Sequence, residues 1–165
     1  MTELILQKLK EKFPEAVVGF EQQYDFPIFI IDKNHIKEVL TELKIDEELN
    51  FHFLTTMCGI HYPDNPQESE FCMMYQLHNM PKNIRIRLKT FMPKSDLHVP
   101  TVTDLWKTAN WMERQEYDFF GFIFDGHPNL TRILNMDEMN YHPLRKEYPL
   151  EDLRRDDKDD KMFGR

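Results

Sequence analysis

Glycine and cysteine are scarce in this chain of 165 residues, and basic residues are outnumbered by acids. The glycines stand at 19, 59, 121, 126 and 164, and none falls into the GxGxxG or GxxxxGK spacing that cradles phosphates. Nucleotide loops of those two kinds are thereby excluded. The two cysteines, Cys58 and Cys72, are too few to ligate an iron–sulfur cluster and too far apart for a CxxC site. They read as buried free thiols in a reducing compartment. A net charge of -8 argues against a nucleic-acid partner, because phosphate binding needs a basic face. No apolar run approaches the length of a membrane span, and the N-terminus lacks a signal-peptide core. The expectation is a soluble, cytosolic chain, long enough for one domain with a core of its own.

What is abundant is phenylalanine (13), methionine (10) and proline (10), a set that serves interfaces as well as cores. Apolar spacing predicts a first helix carrying Ile5, Leu6, Leu9 and Phe13, then short strands at 16–20 and 27–31. Asp32 is a plausible N-cap for a second helix, in which Ile36, Val39, Leu40 and Leu43 recur at helical period. A strand at 56–62 follows. Residues 71–78 and 84–91 make the clearest hairpin, with Ile84, Ile86 and Leu88 alternating against Arg85, Arg87 and Lys89. The order α-β-β-α-β-β-β gives an α+β fold class: a two-layer domain with a mixed sheet and helices on one face. A third helix is expected over roughly 101–116, capped by Thr101 or Thr103. After Gly121 the periodicity fades, and no convincing pair of strands or long helix is visible.

The chain therefore divides into an α+β domain with its third helix (1–116), an irregular region (117–150) and a charged, flexible tail (151–165). Apolar residues recur through the irregular region, among them Ile133, Leu134, Met136, Tyr141, Leu144 and Tyr148. Extended chain with apolar anchors and arginines is how a segment grips a neighbouring protein. Such a segment is expected to be ordered in complex with that neighbour.

The chemistry-bearing candidates are Glu113, Glu116, Asp118 and His127. An acid–base set needs two such groups within reach of one substrate. The competing reading, which the absence of a nucleophile motif favours, is a helix end whose carboxylates pair with Arg114 and Arg132 and satisfy backbone donors. Cys58 and His61 have a ligand-like gap, but on a strand they point to opposite faces, and no second ligand pair at zinc spacing appears. The run Asp125-Gly126-His127-Pro128-Asn129 reads as turn chemistry that reverses the chain after FIF. The His-Pro pair returns at His142-Pro143, followed by Leu144, Arg145 and Lys146.

Two blocks carry a resemblance. ERQEYDFFGFIFDGHPNLTRIL (113–134) and HPLRKEYP (142–149) resemble, in order and content, the 30 kDa-type (C) subunit family of NADH–quinone oxidoreductase, respiratory complex I. Gln115, Phe119, Tyr141 and Glu147 are mild departures from the family pattern. The resemblance implies a cofactor-free structural subunit of the peripheral arm of a proton-translocating complex carrying electrons from NADH to quinone. FMN, iron–sulfur clusters and quinone would be bound elsewhere in that complex. No catalytic, cofactor or metal residue is expected in this chain. It would dock on the 49 kDa-type (D) subunit and neighbouring hydrophilic-arm subunits, peripherally, at the cytoplasmic face of the membrane. The residues expected to serve that docking are Glu113, Arg114, Tyr117, Asp118, Gly121, Gly126, His127, Pro128, Arg132, His142, Pro143, Arg145, Lys146 and Tyr148. The equivalent small subunit of a membrane-bound hydrogenase or a ferredoxin- or F420-linked complex is the alternative. A free-standing enzyme or an assembly factor is a distant third.

Overall fold

Side-chain alternation along five strands builds one sheet, seen in a computed structural model that describes residues 2–148. In chain order the elements are α1 (Thr2–Lys12), β1 (Val17–Gln23), β2 (Phe26–Ile31), α2 (Ile36–Ile45), β3 (Phe53–His61), β4 (Phe71–Asn79) and β5 (Ile84–Met92). Then come β6 (His98–Pro100), α3 (Ala109–Phe120) and β7 (Ile123–Asp125). The sheet runs β1-β2-β5-β4-β3. It is mixed: β2 pairs parallel with β5, and every other neighbouring pair is antiparallel. The fold is α+β, as the alternation implied.

Residues opposite one another across the ladders fall on one face, and Phe29, Leu88 and Tyr75 are such a row. They share a core with Ile5 and Leu9 of α1 and with Val39, Leu40 and Leu43 of α2. Each large side chain fully withdrawn from water here contributes about 1.5–3 kcal/mol. Asp32 accepts from the Asn34 N–H at 2.9 Å and so starts a single 3-10 turn that leads into α2. The face carrying Arg87 and Lys89 is less wet than their charges imply. Lys89 lies mid-sheet, nearly buried, and reaches Glu21 at 3.6 Å.

One expected boundary is corrected. The third helix begins at Ala109, not near 101, and it continues to Phe120. Residues 101–108 instead form tight turns, with Leu105 and Trp106 N–H groups both donating to the Val102 carbonyl. The Val102 N–H is itself taken by Glu113 at 2.7 Å, so this stretch caps against α3 instead of extending it. After Gly121 the described residues hold no strand pair of their own, as expected, but one short strand, β7, which lies parallel to the earlier β6. Three residues per strand are too few to show a period. The charged tail at 151–165 lies outside the described residues.

Strand β3 is an edge strand, and α3 packs against it at Gly59. A Cβ at Gly59 would stand 2.4 Å from the Phe122 ring and 2.9 Å from a Glu116 carboxylate oxygen. Phe122 is fully buried and cannot swing away. Gly59→Ala is therefore expected to destabilise the chain by about 1–3 kcal/mol through overpacking. Thermal melting checks this, at about 2–4 °C of Tm per kcal/mol for a chain this long.

Candidate functional site

The conspicuous block is organised by α3. Its buried face reads Ala109, Glu113, Glu116 and Phe120, so a helical stripe normally filled by apolar groups carries two carboxylates. Both are satisfied by neighbours in space. Glu113 accepts from the Thr101 hydroxyl at 2.6 Å and the Val102 N–H at 2.7 Å. Glu116 accepts from the Gly59 N–H at 2.6 Å, tying the helix to the free edge of β3.

Asp118 is buried on another side of the helix and points at the chain that follows. Its Oδ2 accepts from three successive backbone N–H groups, Ile133 at 3.1 Å, Leu134 at 2.8 Å and Asn135 at 2.9 Å. Its Oδ1 takes the Arg132 guanidinium at 2.7 Å and the Asn135 amide at 3.1 Å. Arg132 donates onward to the Asp118, Met139 and Tyr141 carbonyls.

The C-terminal carbonyls of α3, left without helical partners, are met by the same downstream chain. Gly121 ends the helix in the left-handed conformation, with φ 82°, and no Cβ fits there: His142 and Arg145 atoms would lie at 2.5–2.7 Å. The Asp118 carbonyl accepts from His142 Nδ1 at 3.1 Å, the Phe119 carbonyl from the Leu144 N–H at 3.2 Å, and the Phe120 carbonyl from Arg145 Nε at 2.6 Å. The Lys146 N–H then donates to His61 Nδ1 at 2.9 Å, which leaves His61 Nε2 to donate to Glu70 at 2.9 Å.

The remaining expected docking residues fall into place around these bonds. Among the described residues Arg114 pairs with no carboxylate. It donates to the Thr131 and Arg132 carbonyls and stacks over the exposed Trp111 ring. Tyr117 packs edge-on to His142, and Tyr148 packs against Tyr141. His127 accepts from the Asn129 N–H and donates to the Asn110 carbonyl, with Gly126 supplying positive φ before it and Pro128 exposed after it. Pro143 is half-buried. Glu113 and Asp118 have fully buried side chains, so they position the segment from inside and cannot touch a neighbouring protein. Gly59, His61 and Asn135 belong to this arrangement although all three lie outside the two sequence blocks. A glycine inside a strand pattern is a sign of close approach, and it was the available signal at Gly59.

Apolar side chains face outward among charged ones: Asp137, Glu138, Lys146 and Glu147 are exposed, and so are several apolar groups. Leu134 and Met136 are 68% and 70% exposed, and Tyr141, Leu144 and Tyr148 are also exposed. The described part of the region thus anchors its backbone within the chain and presents apolar side chains to the outside, interspersed with charged ones.

The electrostatics separate the acids. Burial pushes Glu113 and Glu116 up to about 7, against the opposing bonds from Thr101 and Val102 in one case and Gly59 in the other. Burial also opposes ionisation of Asp118. There the Asn135 and Leu134 N–H groups, the Arg132 guanidinium and the Asn135 amide outweigh it and hold the carboxyl well below the usual range. Burial lowers His142, and the nearby Arg145 and Arg132 charges add to that, against its bond to the Asp118 carbonyl. Carboxylates so enclosed have no access to a substrate. Among the described residues no group of three His, Cys, Asp or Glu side chains converges as metal ligands, and no helix is long and apolar enough to cross a membrane. A cavity of about 640 Å³ opens elsewhere, lined by Gln67, Glu68, Glu70, Pro93, Lys94 and Ser95.

Truncation at Asp118→Ala leaves Arg132 and three amides without their carboxylate, at a cost of about 3–5 kcal/mol. Chemical denaturation should show that loss, with protease sensitivity rising first in 131–146. The pH dependence has a definite sign. Glu113 and Glu116 hold protons in the folded state that the unfolded chain releases at the ordinary value of 4.5. Their contribution is full below 4.5 and is lost as pH rises through about 7. His142 acts oppositely: its contribution is full above 6.5 and is lost as pH falls through its lowered folded value. Melting temperature measured against pH should therefore show a component falling on the way to neutrality, and Glu116→Gln should remove part of it. An unaltered profile in that variant would mean that Glu116 titrates normally.

Comparison with known proteins gives consistent results. A family model described as the 30 Kd subunit of the respiratory-chain NADH dehydrogenase matches residues 29–154. The C subunit of the NADH-quinone oxidoreductase of Citrifermentans bemidjiense is 38% identical over 144 residues, covering 87% of each chain. Among solved structures, the trypsin-resistant fragment (1–134) of Nqo5 is similar with a TM-score of 0.68 at 29% identity, covering 79% of this chain and all of that one. A chain of the membrane-bound sulfane sulfur reductase, an archaeal respiratory membrane complex, is similar with a TM-score of 0.71 at 28% identity, covering 90% of this chain and 85% of that one.

Proposed function

The chain belongs to the 30 kDa subunit family of the respiratory-chain NADH dehydrogenase, and from that premise we propose that it is a structural subunit of the peripheral arm of a proton-translocating NADH–quinone oxidoreductase. In this reading it carries no cofactor and no active site of its own. It docks on the 49 kDa-type subunit of the quinone site, at the cytoplasmic face of the membrane. FMN, iron–sulfur clusters and quinone belong to other subunits.

The observation that carries the docking reading is the pairing of a pinned backbone with exposed apolar side chains in 130–148. Leu134, Met136, Tyr141 and Leu144 project from irregular chain whose carbonyls and amides are engaged by Arg132 and Asp118, and which Arg145 ties back to the Phe120 carbonyl of α3. Rigid apolar anchors lose little entropy on binding, which is how a modest contact area gives useful affinity. The buried, fully engaged acids of α3 speak for a scaffold and against acid–base chemistry. A second reading, a subunit of a different respiratory membrane complex, has support from the likeness to a chain of the sulfane sulfur reductase.

The test uses the complex isolated from membranes through a tag on this chain. Leu134→Asp combined with Met136→Asp touches exposed positions, so the isolated chain should melt as wild type. The yield of assembled complex on native gels should fall by at least about tenfold. Residual complex should keep normal NADH–quinone reductase turnover per cluster. Full assembly with lost turnover would assign these residues to catalysis instead. A wild-type complex lacking NADH–quinone activity would favour the second reading.

A further inference from the structure

The two edges of the five-stranded sheet are finished differently. Along β3, α3 packs against the strand and Glu116 takes the Gly59 N–H. Along β1 the arrangement is open. Pro27 has no N–H, so Gln22 opposite it forms a non-hydrogen-bonded pair. The ladder bonds of the β1–β2 hairpin then fall at Gln23–Phe26, Glu21–Ile28 and Gly19–Ile30. The N–H and C=O groups of Phe20 and Gln22 therefore point away from the sheet. Among the described residues no protein group meets them. Exposed apolar side chains flank this edge: Val18, Phe20, and Tyr24 at 95% exposure on the hairpin turn. Tyr24 holds a left-handed φ of 51°, with the Gln22 side-chain amide, through Nε2, donating to its carbonyl at 3.1 Å. Sheets that stay unpaired blunt such edges with lysine, proline or a cover. Here a bulge between Val17 and Gly19 leaves the run from Gly19 to Gln23 regular.

We propose that β1 is an acceptor edge, to which an extended segment of a neighbouring subunit, alternating apolar and basic residues, adds as a further strand. The charge identifies the occupant. Residues 13–32 contain Glu15, Glu21, Asp25 and Asp32 and no lysine or arginine. Lys89 reaches Glu21 at 3.6 Å, while Glu15 and Asp25 have no ion pair among the described residues. A second copy of this chain fits poorly. Antiparallel pairing that uses both outward positions sets Phe20 against the other copy's Gln22 and Glu21 against its Glu21. Like charges directly opposite destabilise a ladder. The proposal rests on the reading of the chain as a subunit of a larger assembly.

Residue-resolved amide exchange on the isolated full chain and on the purified complex tests it. The Phe20 and Gln22 amides should exchange freely in the isolated chain and at least about a hundredfold more slowly in the complex, as ladder amides do. Gln22→Pro removes one outward N–H and keeps the ladder bonds between β1 and β2, so it should cut complex yield by about tenfold or more. Gln22→Ala keeps the N–H and should assemble normally. A benzophenone side chain at Gln22 should cross-link to a lysine- or arginine-bearing segment of another subunit. Equally fast amides in the complex, normal assembly of Gln22→Pro, or a cross-link to a second copy would each overturn the proposal. If Gln22→Pro lowers the melting temperature of the isolated chain, the wild-type exchange measurement decides alone. A complex with an unprotected edge sinks this proposal only. A wild-type chain that co-purifies with no other subunit sinks the reading as part of an assembly as well.

Discussion

The Asp118 carboxylate is the constraint on which the second half of the molecule depends. It lies in the last turn of α3, where the helix dipole is unfavourable to a negative charge. Two features offset that. Three successive amides of 133–135 close around Oδ2, and Arg132 binds Oδ1 together with the Asp118 carbonyl. The arginine thus answers the side chain and the helix end at once. Because its other terminal nitrogen reaches the Met139 and Tyr141 carbonyls, one buried anion sets the path of residues 132–141, which form no helix or strand.

The two glutamates of α3 do a different job by different physics. Among the described residues no lysine or arginine bonds to either carboxylate, and burial brings each to about 7, so near neutral pH their charge is easily given up. What they supply is acceptors. Glu113 holds the 101–102 turn and Glu116 holds the edge of β3, where an apolar side chain would leave the Val102 and Gly59 N–H groups unpaired. A buried donor without a partner costs about 1–3 kcal/mol. The helix is consequently fixed to the sheet on one side and fixes the following segment on the other.

This two-sided attachment bears on assembly. An irregular segment would ordinarily lose much entropy on binding a neighbour. Here Arg132, His142 and Arg145 engage the α3 carbonyls within the chain, so Leu134, Met136 and Leu144 are already displayed. The expectation of a segment ordered through a neighbour came from its missing periodicity. Within the chain its path is held by side-chain bonds to main-chain amides and carbonyls, which leave no periodic trace.

How much was legible follows from the range of each interaction. Alternation in 84–91 and helical spacing of Ile36, Val39, Leu40 and Leu43 placed the hairpin and α2, because burial against a common core repeats at the period of the element. The α+β class, the turn at Gly126 and the charged block at the end of α3 were likewise in the sequence. The start of α3 was not, because Val102 gives its N–H to Glu113 across a turn and not to a helix of its own. Nor were the partners of the block. Asp118 and Arg132 are 14 residues apart, Glu116 and Gly59 are 57, and Lys146 and His61 are 85. Residue identity alone determined which groups needed partners, since a buried carboxylate or helix-end carbonyl must be satisfied wherever it lies. Only the tertiary structure decided which groups those partners are, because a hydrogen bond depends on distance in space and carries no period along the chain.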